Sequence, residues 1–209
     1  MAENLDLKKR YAGLYKPSGT APVLVDVPPL RFLMLDGLGG VGGTDFQLSM
    51  GALYGLAYPV KFSAKKRLSL SYPIMPAEGL YWDANEGPNS APLSQGTTAW
   101  RLMILLPDAV SAEFVDEVRA KVAAKKDLPL LGDVRVQTFS EGESVQILHV
   151  GPYADETPTV RRLLAFASER GFETAGSHHE IYLNDPNRTA PEKLKTVLRY
   201  PVRKGGPHR

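Results

Sequence analysis

The 209-residue sequence contains no cysteine, and this absence removes several functional classes at once. Without thiols the chain has no disulfide, no cysteine nucleophile and no cysteine-ligated metal. It also lacks any run of 18 apolar residues, so we expect no membrane-spanning segment. Residues 1–6 are acidic and lack the apolar core of a signal peptide, which predicts a cytoplasmic protein.

An excess of one charge is also missing. The 25 basic and 23 acidic residues leave a formal net charge of +2. A nucleic-acid binder needs a clustered positive footprint, so we expect no direct contact with nucleic acid. The basic runs at residues 8–10 and 65–67 are interpreted as solvated surface. The composition, with 43% hydrophobic residues, is typical of a folded protein.

The order of predicted elements repeats along the chain. Residues 1–28 have little periodicity and predict a lead-in arm wrapped on the surface, and residues 205–209 predict a frayed tail. Between them we expect one domain, 29–204, made of two repeats (29–107 and 144–204) joined by a helix and a strand. In each repeat a strand, a loop rich in Gly or Pro, a helix and two strands follow one another. The first-repeat elements are predicted at 30–35, 37–43, 45–57, 72–82 and 99–106, and those of the second at 145–150, 151–152, 158–170, 179–183 and 195–202.

This order predicts an α+β fold of two βαββ repeats related by a pseudo-twofold. The seam between such repeats is a favoured place for a ligand cleft. Residues 58–67 are interpreted as a possible second helix that has Pro59 in its first turn.

The segment 37–42 matches the dinucleotide fingerprint G-x-G-x-x-G, after a strand and before a helix. The acid expected about twenty residues later for a ribose hydroxyl is absent, and the following strands lack crossover helices. The sequence therefore favours a loop without a nucleotide, and we expect no cofactor.

The run His178-His179-Glu180 suggests metal ligands. Successive side chains of a strand point to opposite faces, so the two histidines are not expected to hold one ion. We therefore predict no metal site. The same alternation places Ile181 and Leu183 on one face, beneath the helix at 158–170, and His178, Glu180 and Tyr182 on the other.

Two interpretations of Glu180 stay open at this point. It is either a solvated strand carboxylate or an acid at the floor of the cleft, where burial requires hydrogen bonds or a cationic ligand. Aromatic rings beside an acid can hold a flat cation by stacking and cation–π attraction. The other candidate binding residues are Glu78, Tyr81, Trp82, Trp100, Tyr153 and His178, with core filling as the alternative for Trp100.

On these residues the chain resembles the GyrI-like small-molecule-binding proteins, a family that includes effector domains of multidrug-responsive regulators. The matching stretches are residues 27–37, 45–58, 76–82, 145–153, 178–186 and 194–202. The most specific is His178-His179-Glu180-Ile181-Tyr182-Leu183-Asn184-Asp185-Pro186. The resemblance implies the two-repeat fold, and it implies that the family's pocket acid, which meets lipophilic cations, corresponds to Glu180.

Stand-alone members of that family include hydrolases of cyclopropane-bearing genotoxins. The resemblance thus implies a protein that binds aromatic or cationic xenobiotics and hydrolyses strained electrophiles. Glu180 would activate water, and Tyr182 would position Glu180 or donate to developing negative charge. The alternatives are a non-catalytic drug-binding or effector-sensing module and a gyrase-interacting protein. The oligomeric state is left open.

Overall fold

The computed structural model describes residues 3–88 and 97–205. The helices are α1 (Leu7–Arg10), α2 (Ala12–Tyr15), α3 (Thr44–Arg67), α4 (Ala112–Ala123) and α5 (Thr157–Glu169). The strands are β1 (Glu3–Asn4), β2 (Val23–Val27), β3 (Leu30–Leu38), β4 (Leu70–Ser71), β5 (Ala77–Asp83), β6 (Thr98–Leu105), β7 (Arg135–Phe139), β8 (Gly142–Val150), β9 (Phe172–Thr174), β10 (His178–Tyr182) and β11 (Lys195–Lys204). The predicted α+β class is confirmed.

The main sheet is antiparallel and has the strand order β2-β8-β11-β10-β5-β6-β3-β7, with β9 pairing beside β11. The order β3-α3-β5-β6 and then β8-α5-β10-β11 along the chain is the expected succession of two βαββ units. In the sheet, the second strands of the two units, β5 and β10, lie at the centre. The third strands, β6 and β11, flank them, and the first strands, β3 and β8, lie farther out. The units therefore meet where β5 pairs with β10.

Helices α3 and α5 cover the same face of this sheet, which we call the helix face. Phe46 of α3 packs edge-on against Trp100 of β6, with 5.5 Å between ring centroids. Leu163 of α5 belongs to one buried cluster with Leu198 of β11. The register places Trp100 and Leu198 on the same face as Glu180. Since α3 covers the β3–β6 side and α5 the β8–β11 side, β5 and β10 lie between the helices.

The N-terminal arm covers the opposite face, the arm face. Leu7 and Leu14 of its two short helices are buried in the main core. Strand β2 pairs with the edge strand β8. The expected surface-wrapped lead-in is therefore corrected: the arm extends the sheet and completes the core. Of the tail predicted to be frayed, residues 206–209 lie outside the described residues, while the Gly205 N–H bonds the Gly171 carbonyl at 2.8 Å.

Helix α3 continues through Pro59 without the expected break. Proline at this position cannot donate to the carbonyl four residues earlier, which costs roughly 3 kcal/mol in a helix interior. Leu56, Val60 and Ala64, on either side of the proline, are fully buried in the main core. Their packing holds the helix together across the missing bond. Across the described ranges, none of the helices has both the length and the apolar character needed to cross a membrane.

Candidate functional site

Glu180 lies on the helix face at the centre of the sheet, directly opposite Gly79 of β5. Its side chain is 15% exposed. The absence of a side chain at Gly79 lets the Tyr81 ring lean across this position: a Cβ built there would come 2.4 Å from the Tyr81 hydroxyl oxygen. The glycine therefore lets a phenol from the first repeat approach an acid from the second.

Hydrogen bonds hold both oxygens of the Glu180 carboxylate. The Nε2 atom of His178 lies 2.9 Å from Oε1, and the Tyr182 hydroxyl donates to Oε2 at 2.8 Å. The Tyr81 hydroxyl is in turn hydrogen-bonded to that of Tyr182. Burial and the neighbouring Glu180 charge raise the pKa of both phenols, so both keep their protons as donors. The result is a relay from Tyr81 through Tyr182 to Glu180.

Aromatic rings surround this acid. Tyr153 packs edge-on against Tyr182 at 5.7 Å between centroids, and it is 39% exposed at the rim. Tyr200 packs against the His178 ring at 4.9 Å. A partly exposed carboxylate between phenol and imidazole rings can attract a flat or cationic organic molecule.

Glu156, which the sequence reasoning missed, approaches the same place from just before α5. It is 7% exposed, and its Oε1 atom has no hydrogen-bond partner among the residues that the structure describes. One ligand atom from each of Glu156, His178 and Glu180 lies within 4.8 Å of the others. Burial and the Glu180 charge raise the pKa of Glu156 to about 8, so it holds a proton at neutral pH. Nothing local in the sequence signals this proximity of residues 24 positions apart.

The structure does not bring Glu78 and Trp82 to Glu180. Both point to the arm face, because they alternate with Tyr81 along β5. The Tyr15 hydroxyl donates to the Glu78 carboxylate. The Arg101 guanidinium lies 5.9 Å from the Trp82 ring centroid. The expectation that these two side chains would share a cleft with Glu180 is therefore corrected.

Trp100 shares the helix face with Glu180 but is 1% exposed. Its ring packs against Phe46, and its indole N–H has no partner within the described part of the chain. Trp100 is the cross-strand neighbour of Tyr81 and fills the core beside it on the same face. Ile181 also departs from expectation: it lies in the main core on the arm face, and not beneath α5.

His179 faces the arm side, where a buried ionic network joins the sheet to the arm. Its Nε2 lies 3.0 Å from Glu78 and its Nδ1 3.0 Å from Glu141, which also accepts from Arg199 at 3.0 Å. Burial alone would lower the pKa of His179, but Glu141 and Glu78 raise it to about 9. Burial would raise the pKa of Glu141, but His179 and Arg199 lower it to about 2. His179 and Glu141 are therefore both charged at neutral pH, and with Arg199 they form a buried group of ion pairs between the sheet and the arm.

Two cavities lie away from Glu180. One of about 160 Å³ on the arm face is bounded by Leu80, Arg101 and Glu141 among others. Another, of about 510 Å³, is an open depression near the end of α4, bounded by Arg119 and Leu128 among others. Neither contains any of the residues clustered around Glu180.

The junction of two βαββ units, with an acid and several phenols between their helices, defines a class of small-molecule-binding domain. The family model of the GyrI-like small molecule binding domain matches residues 104–203. An uncharacterised conserved protein from Listeria innocua is 32% identical, with a TM-score of 0.85 over 95% of this chain and 100% of that one. The chain belongs to the GyrI-like small-molecule-binding family.

Two further structures extend the comparison. A protein described as a hydrolase from Listeria innocua is 32% identical, with a TM-score of 0.83 over 95% of this chain and 100% of that one. The C-terminal domain of EcmrR is 13% identical, with a TM-score of 0.51 over 88% of this chain and 97% of that one, and it shares the fold. No curated protein sequence matches the chain.

Proposed function

We propose that the protein binds an aromatic or cationic organic molecule over Glu180 and hydrolyses strained, cyclopropane-bearing electrophiles there. The observation that carries the proposal is the fixed Glu180 carboxylate, which is held by His178 and Tyr182 yet remains partly exposed among aromatic rings. The relative described as a hydrolase, 32% identical over nearly the whole chain, supports a hydrolytic activity.

Binding depends on one negative charge and flat side chains near it. Tyr153 at the rim and the partly exposed Tyr182 beside it supply the aromatic surface, while Tyr81 and His178 are buried next to Glu180. Their faces attract cations, and the carboxylate adds direct charge attraction. Trp100, which is buried beside Tyr81 on the same face, is not part of this surface.

In the proposed reaction, Glu180 takes a proton from a water molecule that attacks a cyclopropane carbon. A new carbon–oxygen bond forms, the strained carbon–carbon bond breaks, and its electron pair moves to a carbonyl oxygen conjugated with the ring. A positioned general base contributes about 10²–10⁴-fold to such a step. Tyr182 positions Glu180 by donating to its second oxygen, and His178 fixes the first.

The test is to incubate the purified protein with a cyclopropane-bearing alkylator and to measure the ring-opened product by chromatography. We expect Glu180→Gln to lower turnover at least 100-fold, in line with the loss of a general base. Glu192→Gln, at an exposed acid with none of the contacts described around Glu180, is the control and should leave turnover unchanged. Equal turnover in wild type and Glu180→Gln would remove Glu180 from its role. Saturable binding without any product would contradict the hydrolytic part alone and support a non-catalytic binding protein.

A further inference from the structure

We infer that Glu156, His178 and Glu180 together bind a divalent transition-metal ion of the zinc type. This inference concerns a second kind of ligand for the same part of the molecule. It does not depend on hydrolysis, and it can be tested without any organic ligand.

The donor set and its spacing suit such an ion. Two carboxylates and an imidazole are donors that zinc accepts, at bond lengths of about 2.0–2.2 Å, which place neighbouring donors about 3.3–3.6 Å apart. The three candidate ligand atoms already lie within 4.8 Å of one another, and His178 Nε2 is 2.9 Å from Glu180 Oε1. The 4.8 Å limit is about 1 Å above this spacing and the 2.9 Å distance is about 0.4 Å below it, so small side-chain rotations would close the set.

An unsatisfied atom points to a missing positive partner. Glu156 is only 7% exposed, and its Oε1 atom has no hydrogen-bond partner among residues 3–88 and 97–205. A buried carboxyl oxygen without a partner is costly, and the acid beside Glu156 is Glu180. A bound cation would satisfy this atom and take the place of the proton that Glu156 otherwise holds at neutral pH.

The surrounding structure orients two of the donors. His178 and Glu180 project from alternate positions of one central strand, on the same face. The Tyr182 hydroxyl holds the second oxygen of Glu180, and Tyr200 packs against the His178 ring. The Tyr182 hydrogen bond is the kind of contact that orients a carboxylate ligand in metal sites, whereas Nδ1 of His178 has no hydrogen-bond partner among the described residues. His179 points to the arm face and cannot be a ligand of the same ion. The third donor is therefore Glu156.

Metal binding and the proposed catalysis exclude each other. A carboxylate that coordinates a metal cannot also accept a proton from water or face an organic cation. A zinc ion at this site should therefore compete with cationic ligands.

The experiment is calorimetric titration of chelator-treated, full-length protein with Zn²⁺, repeated with Co²⁺ while its visible absorption is recorded. We expect one ion per chain and a Co²⁺ spectrum of nitrogen and oxygen ligation. Glu156→Gln and His178→Gln should each weaken affinity on the order of tenfold or more. The control Glu169→Gln, an acid with a 73% exposed side chain, should bind as wild type does.

Two results would overturn the inference. One is the absence of saturable binding by folded wild-type protein. The other is binding that both Glu156→Gln and His178→Gln leave unchanged, since the ion would then lie elsewhere. Circular dichroism of each variant distinguishes loss of the metal site from loss of the fold. Organic ligand binding is measured separately in excess chelator, so failure of the metal site and failure of the proposed function give different results.

Discussion

The Tyr182 hydroxyl donates a 2.8 Å hydrogen bond to Oε2 of Glu180, two residues earlier on the same strand. A hydrogen bond to a charged group contributes about 1.5–3 kcal/mol, which corresponds to roughly 10–100-fold in rate. We expect Tyr182→Phe to lower kcat for ring opening by this factor, with KM changed less than threefold because the ring remains. Steady-state kinetics checks this, with the exposed Tyr58→Phe as the unaffected control. A variant with full kcat would show that Tyr182 does not position the base.

Side chains on the two faces of the sheet are predicted to affect ligand affinity to different extents. Tyr153 is exposed beside Tyr182 on the helix face, whereas Trp82 points to the arm face. Loss of a desolvated cation–π contact is worth about 1–2 kcal/mol, so Tyr153→Ala should weaken binding of a cationic dye about tenfold. Trp82→Phe should change it less than twofold. A fluorescence titration measures both, and the reverse order would place the ligand on the arm face.

Tyr15 joins the N-terminal arm to the buried carboxylate of Glu78. Tyr15→Phe would leave that oxygen without its donor, at a cost of about 1–3 kcal/mol. We expect the free energy of unfolding in urea to fall by that amount. The matched variant Tyr11→Phe, on the same arm, should stay within about 0.5 kcal/mol of wild type. Equal stability of the two variants would mean that the contact contributes nothing to folding.

The buried Glu141 carboxylate makes stability depend on pH in the acid range. Its pKa is about 2 in the folded protein against an ordinary 4.5, so the stabilisation is complete above pH 4.5 and is lost as pH falls toward 2. At neutral pH this corresponds to about 3 kcal/mol. We expect Glu141→Gln to be much less stable than wild type at pH 6 and the difference to shrink progressively below pH 4.5. Urea unfolding at a series of pH values measures it, and a difference constant from pH 6 to pH 2.5 would contradict the prediction.

Gly37 begins the glycine fingerprint, and Trp100 explains why a glycine is present there. A Cβ at this position would lie 2.0 Å from the Trp100 ring. Gly37→Ala should therefore destabilise the protein by about 1–3 kcal/mol, as overpacking does. Gly40→Ala, where a Cβ meets nothing within 4 Å, is the control in thermal unfolding. Equal melting temperatures would show that the ring moves aside freely.

The repeat of elements could be predicted from the sequence because each helix and strand carries its own periodicity. The arm was harder: the short strand Val23–Val27 becomes a strand by pairing with β8, a contact between residues more than a hundred positions apart. Continuation of α3 through Pro59 likewise depends on the core beneath it, which no local pattern describes.

The site was predictable in part for the same reason. Alternation along β10 correctly grouped His178, Glu180 and Tyr182 on one face. Alternation also implies that adjacent Tyr81 and Trp82 cannot share a face, but only the pairing of β5 with β10 shows which one meets Glu180. Glu156 joins the group through the packing of the segment before α5, so its role depends on tertiary structure alone.

Because β5 pairs with β10 at the centre of the sheet, the two units contribute different kinds of groups to the floor of the site. The ionisable groups at positions 156, 178 and 180 all come from the later unit, while the earlier one contributes the Tyr81 phenol and the bare backbone of Gly79. An elongated guest with a single charged end would therefore lie in one direction only, with that end over the C-terminal half of the chain.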